Sequence, residues 1–454
     1  MATITTPAAD NAPPAPQPWP AAGRAWTAVG LLAIAHMINM FDAGLTGFLI
    51  EMIKADLKAS DFEMSLLTGL APVLFYALVG LPMARLIDRY PRTIVMPIGS
   101  IFVGVFTLAC GLAQNFWQLF LGRMFVGSSA TVHGPGFYSL LSDYFPPQKL
   151  SRAIAGMQFG FVFGTAFASA LGGLLVATAV GWGESSWLGL TIKPWHKVYM
   201  VGAIGAFVVA LILWSIREPE RRNLVTPSAA PQADVIPLGE MFREFWARRR
   251  VYLPLFGALA VISIEGGGII QWRIPFLIRT YGWDVAQIGI WQGVTTLVFS
   301  LLGLPLGAWL TEFLQKRYDD APVRAVIVTW CCALPFSIFS PLMPTAELSI
   351  LLAGIGVTFG MAGAVPQNTA VQIITPNRMR AQVTALFLFM FTVVGGFGPT
   401  MLTGISAALG GEDYLGPAMA ITVATMMPVA MVLLALGLKP YARAIREAKE
   451  SGLM

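Results

Sequence analysis

Gly80-Leu81-Pro82-Met83-Ala84-Arg85-Leu86-Ile87-Asp88 comes back 223 residues later as Gly303-Leu304-Pro305-Leu306-Gly307-Ala308-Trp309-Leu310-Thr311. The same offset carries Asp42 onto Glu265, so each acid precedes its Gly-Leu-Pro by 38 positions. Small residues follow both acids, Ala43-Gly44 in one case and Gly266-Gly267-Gly268 in the other. An acid, a spacing and a motif that repeat together divide the chain into two copies of one unit. A basic segment after a proline, Pro147 to Arg152 and Pro376 to Arg380, repeats more loosely.

The material of each unit is apolar helix. Of the 454 residues, 56% are apolar and only 12% charged, about half the charge an ordinary soluble domain carries, so the chain cannot dress a water-facing surface. The apolar residues fall in runs of about 20, the length a helix needs to cross roughly 30 Å of hydrocarbon. Six runs lie near 27–50, 64–87, 94–114, 117–142, 153–179 and 197–216. Six more lie near 251–278, 285–311, 323–342, 346–374, 381–408 and 416–437. The sequence therefore predicts an all-α membrane protein, with twelve transmembrane helices in two pseudo-symmetric six-helix bundles. The bundles are expected over 24–216 and 251–438. Between them runs a cytoplasmic loop over 217–250, rich in Arg and Glu at its ends and in Pro, Ala and Ser in its middle. Cytoplasmic tails are expected over 1–23 and 439–454. The first of these, with Pro13, Pro14, Pro16, Pro18 and Pro20, lacks the basic start and short apolar core of a cleaved signal and reads as disordered.

Twelve spans put both termini on one side. With that side cytoplasmic, the inner segments hold 22 of the 29 basic residues, as the retention of positive charge in short cytoplasmic loops requires. The net charge of +5 is this loop bias and points to no nucleic acid. Cys110, Cys331 and Cys332 sit in apolar spans without ligand-like spacing, so no metal site is expected. There is no His cluster, no Ser and His pair at one depth and no nucleotide loop, which argues against an enzyme. The expected partners are the lipid bilayer of the plasma membrane, a small-molecule substrate and protons. A monomer without cofactor is expected.

The segment Ala84-Arg85-Leu86-Ile87-Asp88-Arg89-Tyr90-Pro91-Arg92-Thr93 is similar to the loop after the second span of the major facilitator superfamily, Gly-x-Leu-Ala-Asp-Arg-x-Gly-Arg-Arg. Arg123-Met124-Phe125-Val126-Gly127 matches that family's Arg-x-x-x-Gly at the start of the fourth span. The resemblance extends over nearly the whole chain and implies a secondary transporter. Within the superfamily the first half resembles the Spinster group of lipid and lysolipid transporters. The signs are the first-span acid, Leu57 to Asp61, Asp88-Arg89, and Arg123 to Pro146 with Pro135, Asp143 and Phe145. Ala43 stands where that group has Arg, and Ser129-Ala130-Thr131 replaces its Gly-Glu-Ala. The Glu lost there is a coupling or substrate residue in the group, so the resemblance implies fold more than substrate.

Ionisable side chains inside spans cost roughly 2.5 to 3.5 kcal/mol each on insertion scales, and so mark a cavity by default. Asp42, Arg123, Glu265, Arg273 and His133 stand out in this way. Asp42 and Arg123 come at similar depth and are expected to pair. Glu265 has no basic residue at the matching place, and Arg273 lies eight residues on, roughly 12 Å along a helix. Glu265 is therefore the expected proton carrier, with Asp42 as a second coupling residue that acts as a structural or substrate-linked switch. Arg123, His133, Arg273, Gln158, Gln271, Gln292, Gln367 and Asn368 are the expected substrate-cavity residues, although an interhelical hydrogen bond would account for any one of the amides.

Three expectations concern motion. Asp88, Arg89 and Arg92 are expected to latch the two halves on the cytoplasmic face. Gly156, Gly160, Gly164, Ala168 and Gly172 form a stripe of small residues suited to an interface between rocking halves. Gly266-Gly267-Gly268 is expected to weaken the seventh helix beside Glu265. Thr165, where the family's antiporters carry Pro after the glycine, leans the reading toward symport.

Overall fold

In the computed structural model, residues 19–187, 189–220, 243, 245–375 and 380–450 are described. Most of the 217–250 segment lies outside them, as do Arg378 and the side chains of Arg85 and Asp88. In the first half, α1 (Ala22–Leu57) is followed by α2 (Asp61–Ser65), a π-helical turn (Leu66–Leu70) and α3 (Ala71–Arg89). Next come α4 (Arg92–Cys110), α5 (Phe116–Val126), α6 (Ser128–Tyr144) and α7 (Pro147–Val180). A short hairpin, Ser185–Trp187 with Leu190–Ile192, leads to α8 (Pro194–Ser215). The second half has α9 (Arg249–Tyr281), α10 (Val285–Gln315), α11 (Ala321–Phe339) and α12 (Ala346–Ile374). It ends with α13 (Arg380–Gly395), α14 (Gly398–Leu409) and α15 (Leu415–Glu450).

Among the described residues eleven helical stretches are long and apolar enough to cross a membrane. The twelfth crossing is α5 with α6, divided at Gly127, where a Cβ would stand 2.1 Å from the Pro72 carbonyl oxygen. Only a residue without a side chain lets this crossing press onto α3. The crossing made by α13 and α14 breaks for a similar reason at Gly395, Gly396 and Gly398, which touch α9 and the π turn backbone to backbone and the Val73 side chain of α3. Local signals set the other ends. Ser60 and Glu63 cap α2 reciprocally, the Glu63 N–H donating to Ser60 Oγ at 3.2 Å and the Ser60 N–H to Glu63 Oε2 at 2.8 Å. Helices α1 and α9 close the same way, on the left-handed residues Lys58 and Gly282, as two copies of one unit should.

The buried apolar residues show how the halves meet. At the end away from the termini one cluster runs through both, joining Leu45, Ile53 and Trp195 to Trp272, Ile288 and Leu402. At the termini end each half keeps its own, around Leu32, Phe137 and Leu213 in one and Phe256, Trp330 and Tyr441 in the other. The protein is thus closed at the far end and divided at the termini end.

Two expectations about motion change. The stripe on α7 faces its own half: Cβ atoms at Gly160 and Gly164 would stand 2.2 Å from Ala33 O and 2.7 Å from Met37 Cα, both on α1. The contact with the other half uses the neighbouring face, where a Cβ at Gly173 would lie 2.6 Å from Val285 O and one at Gly293 would lie 2.6 Å from Ala166 O. The two faces are adjacent turns of one glycine-rich helix, so spacing alone cannot tell which meets which partner. Helix α9 likewise runs unbroken through Gly266, Gly267 and Gly268. Those glycines admit the broken α13–α14 crossing, a Cβ at Gly267 reaching to 2.3 Å of Gly395 O.

The two faces of α7 should separate in mutants. Gly160→Val crowds backbone within one half and should lower its unfolding midpoint, by an overpacking cost of about 1–3 kcal/mol. Gly173→Val crowds only the contact between halves, and should open the far end with little loss of fold. Equal losses of thermal stability in both variants would contradict this assignment.

Candidate functional site

Asp42 and Arg123 are buried in the first half, at 8% and 5% exposure. Asp42 comes from α1, Arg123 from the last turn of α5, and Gly202 on α8 opens the room between them. A Cβ at Gly202 would meet Leu45 at 3.0 Å, Asp42 Oδ1 at 3.5 Å and Thr107 on α4 at 3.7 Å. Arg123 is the charge that acts on Asp42, yet the two form no ion pair within 4.0 Å. Asp42 Oδ1 and Arg123 Nε and Nη1 are left without hydrogen-bond partners. Opposite charges thus face each other inside one half, away from the second. Neutralising either leaves the other buried and unopposed. In a double-mutant cycle of Asp42→Asn and Arg123→Gln, thermal unfolding should therefore show a coupling of about 1 kcal/mol or more; strictly additive losses would refute the electrostatic coupling.

His133 joins three helices. Ser100 Oγ donates to Met96 O at 3.1 Å, so it accepts from His133 Nε2 at 2.8 Å. Nδ1 then accepts from Asn39 Nδ2 at 3.2 Å and from Ser129 Oγ at 3.1 Å. With both ring nitrogens engaged and the residue 5% exposed, His133 ties α1, α4 and α6 together and presents no free group to a substrate, contrary to the expectation from sequence. Beside it lies the half-buried His36, whose Nδ1 has no partner.

Glu265 sits midway along α9, two residues before the glycine contact with α13. It is only partly buried, and among the described residues its carboxyl has neither a hydrogen bond nor an ion pair. Its counterpart Asp42 is sealed in the first half, so the repeat places two acids alike in sequence and unlike in surroundings. The halves meet just beyond Glu265. Gly69 of the π turn abuts Gly396, where a Cβ would lie 2.3 Å from the carbonyl oxygen, and Tyr76 stacks on Phe389 with ring centroids 6.0 Å apart. A π-helical turn at such a junction is a common mark of a functional segment.

The remaining polar residues scatter. Arg273 reaches toward α12, its Nη2 3.5 Å from Ser349 O. Gln271 lies beside Gly47 at the contact of α1 and α9, and Gln292 keeps a buried Oε1 without a partner. Gln367 is partly buried and Gln158 exposed. Asn368 is also exposed and donates to Ala364 O of its own helix at 3.0 Å, so its amide is half occupied.

The charged latches differ most from expectation. Arg92 is 1% exposed and binds within its own half. Nη2 lies 2.6 Å from Asp143 Oδ2, Nε donates to Glu218 Oε1 at 2.8 Å, and Nη1 donates to Ser139 Oγ at 2.8 Å. Arg89 is exposed, its guanidinium 5.9 Å from the Tyr90 ring centre. Burial disfavours the Glu218 anion, but the Thr93 N–H and Arg92 more than offset this and hold its carboxyl below the usual carboxylate range. The Arg92 cluster therefore gains from Glu218 above that range and loses the contribution as acid protonates it.

Charges that do join the halves lie at the far end. Arg279 on α9 donates to Asp61 Oδ2 at 2.7 Å and Oδ1 at 2.9 Å, and to Glu51 Oε1 at 2.8 Å. Lys54 lies 2.8 Å from Asp61 Oδ1 and also pairs with Glu412. In the sequence alone Arg279 and Lys54 count only as loop charge. Their acids are 218 to 358 positions away or on another helix, and the one available signal was opposite charge at span ends of the same side.

Comparison with known proteins agrees with this architecture. The family model described as Major Facilitator Superfamily matches residues 32–399. An MFS-type efflux pump of Mycolicibacterium smegmatis is 28% identical over 93% of this chain and 95% of its own length. A gallate transporter of Pseudomonas putida is 24% identical, covering 84% of each chain. Among solved structures, a bacterial homologue of the human lysosomal transporter Spinster, inward-facing and unoccupied, superposes with a TM-score of 0.75 at 24% identity. That match covers 94% of this chain and 98% of the other.

Proposed function

Because the chain belongs to the Major Facilitator Superfamily, we propose that this membrane transporter is a secondary active one, moving a small organic solute by alternating access and coupling it to protons at Glu265. The observation that carries the reading is the partly accessible Glu265 carboxyl, unpaired among the described residues and held beside the glycine junction where α9, α13 and the π turn meet. An acid with no fixed cation can trade its proton with a cavity that opens first to one side and then to the other. With the termini in the cytoplasm, the closed far end makes this the inward-facing state. Substrate with some apolar character suits the junction, whose walls include the Tyr76 and Phe389 rings. This is the setting for an amphiphile.

A second reading, a small organic anion, rests on Arg273, whose guanidinium meets a backbone carbonyl and, among the described residues, no carboxylate. A thermal-shift screen of purified protein against amphiphiles and aromatic carboxylates separates the two. Flux of the stabilising ligand is then followed in proteoliposomes. Uptake should rise with an imposed pH gradient and collapse with a protonophore. Ligand binding without flux would instead make this a receptor on a transporter fold.

A further inference from the structure

At the termini end of the first half, the start of α1 and the ends of α6 and α8 line an open pocket of about 210 Å³. That is below the roughly 300 Å³ at which pockets for drug-sized solutes begin, so it fits a headgroup. Two arginines line it, Arg24 and Arg217. Among the described residues neither guanidinium has an ion-pair or hydrogen-bond partner, whereas nearby Arg92 is fully engaged. Two free cations at one small pocket select an anion.

The hydroxyls in the wall refine the choice. Thr27 Oγ1 donates to Gly23 O at 2.9 Å, Ser215 Oγ to Ile212 O at 2.6 Å, and Tyr144 Oη to Arg217 O at 2.5 Å. Their protons are committed, and what they offer a ligand is lone pairs. The pocket thus pairs two cationic donors with three hydroxyl acceptors, the complement of an anion that carries hydroxyl groups of its own. Leu31 and Ile216 add an apolar side. Trp26 and Trp214, exposed at 45% and 67% on the same helix ends, mark the depth of the membrane interface.

We propose that this pocket holds the headgroup of an anionic phospholipid bearing free hydroxyls, of the phosphatidylglycerol class, drawn from the leaflet on the termini side. The phosphate bridges Arg24 and Arg217, and the two free glycerol hydroxyls donate to two of the three acceptors Thr27, Ser215 and Tyr144. The occupant adjoins the Arg92 cluster, since Tyr144 follows Asp143 and Arg217 precedes Glu218 in the chain. Lipid charge at this place therefore acts on the same helix ends that Arg92 clamps.

Native mass spectrometry of the full chain, released from mixed phosphatidylglycerol and phosphatidylcholine micelles, tests this. The unaltered protein should retain one phosphatidylglycerol, and phosphatidylglycerol over phosphatidylcholine should raise its unfolding midpoint. Each guanidinium lost should weaken retention about tenfold or more, as for charged hydrogen bonds generally. Arg24→Gln with Arg217→Gln should then abolish both effects, while the charge-matched Arg250→Gln with Arg443→Gln should leave them intact. If the first pair does not fold, the single substitutions decide by the tenfold criterion. Undiminished retention without Arg24 and Arg217, or equal loss in the control pair, overturns the site. Glycerol 3-phosphate or inorganic phosphate binding as tightly as the lipid would overturn the membrane source.

Discussion

Glu265→Gln should abolish concentrative, pH-driven flux while leaving ligand binding and exchange of substrate down its own gradient intact. The amide keeps the size and most of the polarity of the carboxyl at a partly accessible position, so folding is not at risk, and the substitution removes only the ability to take and release a proton. Asp42→Asn should act differently. Asp42 is sealed against Arg123 within one half, so its loss leaves a buried cation unopposed and shows first in stability. Measuring both variants in proteoliposomes, with and without a pH gradient, distinguishes the two acids. Unchanged gradient-driven uptake in Glu265→Gln would remove it from the coupling mechanism, whatever Asp42 does.

Arg279→Gln should open the far end. Its guanidinium binds Glu51 and Asp61 across the boundary between halves, and all three side chains are partly or largely withdrawn from solvent, Arg279 at 14% and Asp61 at 13%. Without the cation Glu51 and Asp61 lose their tie to α9 in the closed state, Lys54 still neutralises Asp61, and both acids regain water on opening. Charged hydrogen bonds of this kind contribute about 1.5–3 kcal/mol, and a loss of about 2 kcal/mol confined to one state moves a two-state population roughly thirtyfold. Spin labels on Ala55→Cys and Asp413→Cys, on opposite halves at this end, would report it once Cys110, Cys331 and Cys332 are replaced. The long-distance population should grow in Arg279→Gln. An unaltered distance distribution would mean that the apolar cluster around Trp272 and Trp195, with the Lys54–Glu412 pair, closes this end without Arg279.

The site itself was legible only in part. Glu265 could be read because it is a charge inside an apolar run with no basic residue at its depth, and the structure places it beside the junction of the halves. His133 looked equivalent in sequence, but Asn39, Ser100 and Ser129 consume its ring nitrogens. Those partners are up to 94 positions away. Arg92 was misplaced for the same reason, since Asp143 and Glu218 meet it only after α4, α6 and the end of α8 have packed together.

The sequence by itself determined the number of crossings, the duplication and the family. Each of these is written in local chemistry: runs of apolar residues as long as hydrocarbon is thick, a repeat at fixed offset, and motifs a few residues long. Only the tertiary structure decided which groups pair, which glycine face of α7 meets the other half, and which end of the molecule is closed. A helix fixes which of its residues share a face, but lipid is apolar on all sides, so the apolar pattern cannot say which face turns inward. That choice falls to close backbone contacts, such as Gly173 on Val285 and Gly267 on Gly395, and to charges that meet across hundreds of residues.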